Sequence, residues 1–226
     1  MDRVGAVDPG QAAVWNGAGG SGWVEMQEVT DRLFRPLEDV LVEAVGDDAA
    51  RRVLDVGCGA GATTVAIARR LGVGGACTGI DISEPLVASA RSRAAREGVP
   101  AHFVRADGQR HPFEPASYDL IVSRFGVMFF DDFVEAFTNL RTAASDGGAL
   151  RLVVWRSAAE NPFMTTAESA AAPLVVIPPR EPDAPGQFAL ADDQRVRAIL
   201  KRSGWREVSI EPIDVACALP ETDLVR

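Results

Sequence analysis

The stretch Val53-Leu54-Asp55-Val56-Gly57-Cys58-Gly59-Ala60-Gly61-Ala62 decides how the chain folds. An apolar run of strand character ends in three alternating glycines, and the next apolar run closes on Asp81. Glycine has no Cβ and tolerates φ > 0, so such a turn lets the backbone come close to a ligand. Asp81 follows Gly59 by about the 20 residues at which a carboxylate ends the second strand of a nucleotide-binding unit. Its two oxygens suit two adjacent ribose hydroxyls, because each can accept a hydrogen bond. Together these features point to a nucleoside-containing cofactor. The turn satisfies both G-x-G-x-G and G-x-G-x-x-A, so it and the spacing to Asp81 fit NAD and S-adenosylmethionine equally. The bland competitor is a tight strand-to-helix connection with no ligand.

Outward from this turn, short apolar runs alternate with helical segments, the signature of a largely parallel sheet covered on both faces. The pattern predicts strands over 53–57, 76–80, 101–105, 118–123 and 148–155, with helices over 61–71, 84–97 and 131–144. This is a doubly wound α/β core. Pro85 stands where one helix begins and Gly98-Val99-Pro100 where it ends, so both boundaries have a stereochemical origin. Upstream, Val29, Leu33, Leu37 and Leu41 recur every four residues and mark one helix face, which Pro36 should kink or divide. Downstream, the apolar stretch Phe163–Ile177 and the Pro-rich run Pro178–Pro185 interrupt the alternation, and residues 157–187 read as an inserted lid or wall. A helix over 192–202 and a strand over 206–216 resume the rhythm.

Composition narrows the partners. With 226 residues, 47% of them hydrophobic, the chain can fill the core of one ordinary domain. A formal charge of -9 works against gathering phosphates, so nucleic acid is not an expected partner. No apolar run approaches the ~20 residues that span a bilayer, and Met1–Gly22 lacks the basic-then-apolar order of a signal peptide. A cytoplasmic location is expected. Cys58, Cys77 and Cys217 form no C-x-x-C pair and are an odd number, so neither a disulfide framework nor a structural metal is expected. Trp15 and Trp23 are large rings in a Gly/Ala-rich leading segment, where ordering against a ligand or partner would bury them.

Further candidates sit past the later strands. Asp107 follows the third strand on the carboxyl edge where doubly wound sheets bind ligands, and its carboxylate can accept from an exocyclic amine such as adenine N6. A turn-forming Asp-Gly pair is its serious competitor. His111 follows the same loop and is a weak candidate for a general base, since a lone loop histidine is usually solvated. His102 opens the third strand at the far end and reads as a surface residue. The acidic pairs Asp47-Asp48 and Asp131-Asp132 stand near helix starts, where the dipole favours negative charge. Ser123-Arg124-Phe125-Gly126-Val127-Met128-Phe129-Phe130 is too apolar for an exposed loop and reads as pocket floor or core.

Taken in order, the glycine turn, Gly79-Ile80-Asp81-Ile82-Ser83, Ala106-Asp107-Gly108 with Pro112-Phe113, and Tyr118-Asp119-Leu120-Ile121-Val122-Ser123 resemble the class I S-adenosylmethionine-dependent methyltransferases. The nearest group is similar to the small-molecule methyltransferases of ubiquinone and menaquinone biosynthesis, and the resemblance spans about Glu25 to Val215. It implies a Rossmann-like fold, S-adenosyl-L-methionine as cofactor and a small-molecule methyl acceptor. It also implies residue roles. Asp55, Gly57, Gly59 and Gly61, with Cys58 in the same turn, would surround the methionine part. Asp81 would hold the ribose, Ile82 would pack on adenine, Asp107 would accept from the adenine amine beside Gly108, and Ser123 would line the methionine end. Trp15, Trp23, Phe125 and Phe163 would face the acceptor, with residues 1–50 as a helical cap on a core over 51–226.

Two departures accompany the resemblance. His111 stands where relatives carry an apolar residue. The family's antiparallel seventh strand lies between the fifth and sixth, and after 206–216 only Cys217–Arg226 remain, so that C-terminal antiparallel strand is expected to be missing. The alternatives are an NAD(P)-dependent oxidoreductase and a non-catalytic cofactor-binding scaffold. The first lacks an evident Tyr/Lys pair, because Tyr118 and Lys201 fall at a strand start and in a late helix.

Overall fold

The computed structural model describes residues 10–46, 51–175 and 184–220. Five parallel strands make one sheet in the order β3-β2-β1-β4-β5: β1 Arg52–Val56, β2 Ala76–Asp81, β3 Ala101–Arg105, β4 Tyr118–Arg124 and β5 Ala144–Val153. Helix α4 (Ala62–Leu71) connects β1 to β2 and α5 (Glu84–Glu97) connects β2 to β3. The strand order reverses between β1 and β4, and the crevice beyond their carboxyl ends is where such sheets bind ligands.

Alternation along the strands builds two apolar layers. Leu54, Val56, Ile80 and Ile121 face α6 (Phe133–Ala143) and α8 (Asp193–Arg202), packing with Phe137, Leu140, Ile199 and Leu200. Val53, Cys77, Leu120 and Val122 face the other way, against Leu33, Phe34, Leu37 and Leu41 of α3 (Gln27–Glu43) and Ile67 of α4. Each fully buried Leu, Ile or Phe of this kind contributes about 1.5–3 kcal/mol. Helix α3 is thus bedded in the core of the sheet. It continues as one helix through Pro36, so the second helix that Pro36 was expected to begin does not form.

The local signals act where the chemistry requires. Ser83 caps α5 by accepting from Leu86 N, Pro85 sits in the first turn, and Gly98 ends the helix in the left-handed region. Asp132 caps α6 by accepting from Glu135 N at 2.9 Å. Asp47-Asp48 lie outside the described residues. Strand β5 begins at Ala144 rather than near 148, because the β4 register jumps between Tyr118 and Leu120 and takes Asp146-Gly147-Gly148 into an irregularity.

Residues 206–216 correct the sequence reading: they join no ladder among the described residues. A strand needs a neighbouring edge, and the chain here is held by side chains instead. Val208 and Ile210 pack with one apolar layer and Val215 and Leu219 with the other. Arg156, just after β5, pairs with Asp214 at 2.6 Å. The segment therefore passes around the β5 side of the sheet. Among the described residues no antiparallel strand is present and no helix is long and apolar enough to cross a membrane.

Candidate functional site

A cleft of about 310 Å³ opens beyond the β1 and β4 tips, within the range of small-ligand sites. The glycine turn forms its floor. Gly57 and Cys58 both donate their backbone N–H to Ile80 O, at 2.8 and 3.1 Å, which fixes the turn to the end of β2. Gly57 has φ +68°, and a Cβ there would stand 2.5 Å from Gly126 Cα. A Cβ at Gly61 would meet Ala90 and Phe103 at 2.8–3.0 Å, so this glycine serves the packing of α4 rather than the cleft wall. Gly59 differs from both. It lines the cleft with nothing within 4 Å of its Cβ position, leaving bare backbone facing the open space.

Asp81 holds this turn and faces the same space. Its Oδ2 accepts from Gly59 N and its Oδ1 from Ser83 N, each at 2.9 Å, which leaves a further lone pair on each oxygen. Burial pushes its carboxyl up, with the Ser83, Gly59 and Ile82 amides pulling the other way. Asp55, the last inward residue but one of β1, is 1% exposed and accepts from Thr64 Oγ1 at 2.6 Å. Burial raises its carboxyl to about 6 against the Thr64 hydrogen bond and the Arg124 charge. Ile82, Cys58, Asp107 and Gly108 complete this end of the cleft. Burial also pushes the Cys58 thiol well up, so it is no nucleophile at neutral pH.

The Asp107 loop is braced by groups that the sequence did not single out. Asp107 accepts from Gln109 N at 2.9 Å and pairs with Arg110 at 3.3 Å, so the turn-forming competitor is realised while the carboxylate still lines the cleft. The buried Gln109 side chain accepts from the Asp131 and Asp132 amides and donates to Glu135. Asn139 of α6 donates to the carbonyls of Gly108, Gln109 and His111 at 2.9–3.3 Å.

The opposite wall comes from the leading helices α1 (Gly10–Asn16), α2 (Ala18–Glu25) and α3. Trp15 and Trp23 both line the cleft, with Trp15 edge-on to Phe129 at 5.1 Å between centroids. Ser83 Oγ donates to Trp15 O at 2.6 Å, while Asn16 accepts from Glu84 N and donates to Ile82 O. These bonds clip the leading segment onto the start of α5, beside Asp81. Helix α3 adds Gln27, Thr30, Asp31 and Phe34, and β4 adds Arg124 and Phe125 at its end. Helical spacing sets Gln27, Thr30, Asp31 and Phe34 in one row along α3, but spacing alone does not say what that row faces.

Four named candidates lie off the cleft. Ser123 is fully buried, donating to Val56 O at 2.7 Å and accepting from Val127 N at 3.2 Å, so it ties β4 to β1. Gly61 packs inside, as above. His111 stacks edge-on to Phe113 at 4.7 Å and is not on the cleft wall. Phe163, 62% exposed, belongs to helix α7 (Pro162–Ala171), which buries none of its residues. The expected lid is therefore not the part of the described chain that walls the cleft; the rest of it, 176–183, lies outside the described residues. Tyr118 and Lys201, the pair an oxidoreductase would need, are also absent from the wall. Among the described residues no group of three or more His, Cys, Asp or Glu side chains is placed to hold a metal.

Known proteins similar to this chain include methyltransferases. A family model described as a methyltransferase domain matches residues 53–148, from β1 into β5. Nocamycin O-methyltransferase of Saccharothrix syringae is 37% identical over 101 residues, 44% of this chain and 36% of that protein. Aklanonic acid methyltransferase DauC of Streptomyces sp. (strain C5) is 31% identical over 125 residues, covering 53% and 57%. The chain thus spans about half the length of the curated relatives it matches. A methyltransferase crystal structure from Aquifex aeolicus superposes with a TM-score of 0.61 over 82% of this chain and 87% of that one, at 19% identity. A methyltransferase domain thus matches the centre of the sheet, residues 53–148, and the same fold recurs in a solved methyltransferase.

Proposed function

We propose that the chain transfers the methyl group of S-adenosylmethionine to a small, partly apolar molecule. The observation that carries this reading is the bare Gly59 backbone facing the same cleft as Asp81. Open space at Gly59 admits a ligand to backbone distance, and Asp81 keeps lone pairs for the two ribose hydroxyls. Ile82 offers an apolar side for adenine. Asp107 and the Gly108 backbone lie beside it, held in place by Asn139. Asp55, on the cleft wall and deprotonated above about pH 6, takes the ammonium of the methionine part in this reading.

Bound there, S-adenosylmethionine supplies a methyl group on a positively charged sulfur, an electrophile that needs no activation by the protein. The chain's own task is then alignment and exclusion of water, a contribution of up to ~7–11 kcal/mol in favourable cases. Trp15, Trp23, Phe34, Phe125 and Phe129 provide the apolar walls for that task. Two curated relatives named for methylating nocamycin and aklanonic acid support a small-molecule acceptor. The formal charge of -9 supports the same choice over nucleic acid. A cytosolic location is part of the proposal.

Titration calorimetry with S-adenosylmethionine, S-adenosylhomocysteine and NAD tests it. The two sulfur ligands should bind and NAD should not. Asp81→Ala should weaken S-adenosylhomocysteine by about 1.5–3 kcal/mol, the worth of hydrogen bonds to a charged acceptor. Tight NAD binding with no response to the sulfur ligands would reject the proposal.

A further inference from the structure

Arg124 is the cation of the cleft wall whose fork of donors is least used by the described residues. It stands at the end of β4, half-buried, between Ser123 and the Phe125-Gly126 turn. The structure gives its guanidinium a single hydrogen bond, Nη1 to Phe34 O at 3.3 Å, and no salt bridge among the described residues, while its charge acts from a distance on the buried Glu38 and Asp55 carboxylates. An arginine carries five N–H donors in a fixed fork. The other arginine on the wall, Arg110, is bridged at 3.3–4.0 Å to Asp107, Asp131 and Glu135. Asp31, the cleft carboxylate nearest in the chain to Phe34, is taken by Arg93. Its remaining N–H donors are not buried without a partner, so they are accessible to a ligand in the cleft.

The neighbour of Arg124 is also held at a cost. Phe125 has φ +70°, a left-handed backbone that a bulky residue seldom adopts and that costs about 1–3 kcal/mol. The strained backbone sets its ring flat against Trp155, 4.6 Å between centroids and 7° between planes, with Phe34 edge-on at 5.5 Å. The result is a rigid aromatic wall beside a guanidinium. Planar walls and a forked donor together select a flat molecule that carries a bidentate anion.

Resting on the methyltransferase reading of the cleft, we propose that the methyl acceptor is a planar organic acid whose carboxylate is taken by Arg124, its ring system lying against Phe34 and Phe125. The fork donates two N–H groups to the two carboxylate oxygens. A neutral ester or amide of the same ring system lacks the second anionic oxygen and loses that pairing.

The test uses the full chain saturated with S-adenosylhomocysteine. Benzoate, 2-naphthoate and anthraquinone-2-carboxylate are each titrated beside their methyl esters, with tryptophan fluorescence as the signal. At least one acid should bind about tenfold or more tighter than its ester, as a charge-assisted bidentate pair requires. Arg124→Gln should bring that ratio to about one and Arg124→Lys, which keeps the charge and loses the fork, should leave it in between. Three results would overturn the proposal: no acid exceeding its ester in any pair, a ratio unchanged in either variant, or Arg124→Gln weakening S-adenosylhomocysteine but not 5′-methylthioadenosine. The last would assign the guanidinium to the cofactor's own carboxylate. If S-adenosylhomocysteine fails to bind the unsubstituted chain, the methyltransferase reading itself falls, a separate outcome visible before any acid is added.

Discussion

Replacing Asp55 by asparagine should make the protein more stable at alkaline pH, although the residue sits at the heart of the sheet. Asp55 is 1% exposed, and burial lifts its carboxyl from 3.8 to about 6, opposed by the Thr64 hydroxyl and the Arg124 charge and aided by Asp81 and Glu38. A folded-state value above the unfolded one means that the folded chain holds the proton more tightly. The resulting stabilisation is complete below pH 3.8 and is lost as pH rises through about 6. At about 1.36 kcal/mol per unit, keeping the carboxylate charged in the folded state costs roughly 3 kcal/mol at pH 8. Asparagine cannot charge, and its side-chain oxygen can still accept from Thr64 Oγ1. Urea unfolding of both proteins at pH 4, 5, 6, 7 and 8 should therefore show Asp55→Asn gaining on the parent by up to about 3 kcal/mol, with most of the gain between pH 4 and 6. S-adenosylhomocysteine should reverse the ranking, because its ammonium would stabilise the carboxylate and not the amide. A difference between the two proteins that is the same at every pH would refute the argument, since it would mean that Asp55 carries no charge that folding must bury.

Other perturbations separate packing from ligand approach. Gly57→Ala combines φ +68° with a contact of 2.5 Å to Gly126 Cα, so it should cost more than the about 1–3 kcal/mol of the backbone conformation alone. Gly59→Ala has the same kind of φ but an open Cβ position, so its folding cost should stay within about 1–3 kcal/mol while S-adenosylhomocysteine affinity falls. Equal thermal stability and equal affinity in these two variants would remove the distinction drawn between them. Asn139→Ala deletes a donor shared by three carbonyls of the Asp107 loop. It should cost about 1–3 kcal/mol in unfolding and weaken S-adenosylhomocysteine; unchanged calorimetric affinity in a destabilised variant would confine Asn139 to folding.

What the sequence made legible is what local chemistry enforces. Glycines alternating after an apolar run, a carboxylate one strand later, and a proline and a glycine bounding α5 each have a short-range cause, and each stands where it was expected. Asp55, Gly57, Cys58, Gly59, Asp81, Ile82, Asp107 and Gly108 meet at one crevice because parallel strands align their carboxyl ends. What was hidden depends on tertiary placement. The leading helices show their periodicity but not the angle at which they dock, so Thr30, Asp31 and Phe34 were not visible as cleft residues. Ser123 carries a hydroxyl that any pocket could use, and only the Val56 carbonyl 2.7 Å away shows that the backbone uses it. Apolar character drew attention to Phe163, yet α7 leaves it 62% exposed and off the cleft wall. The run over 206–216 has strand composition, but a ladder needs a free edge in register, which no single segment can reveal.

The contact of Gly57 with Gly126 carries a consequence for how such a protein can diversify. Each turn fills the hollow that the other's missing side chain leaves, so the tip of β1 and the shoulder after β4 form a seam that tolerates neither an added methyl nor an independent shift. Variation in what the crevice accepts is thereby pushed outward, onto the ring faces and the leading helices. Exchanging residues 10–46 for another leading segment should change the guest and leave the nucleoside socket as it was.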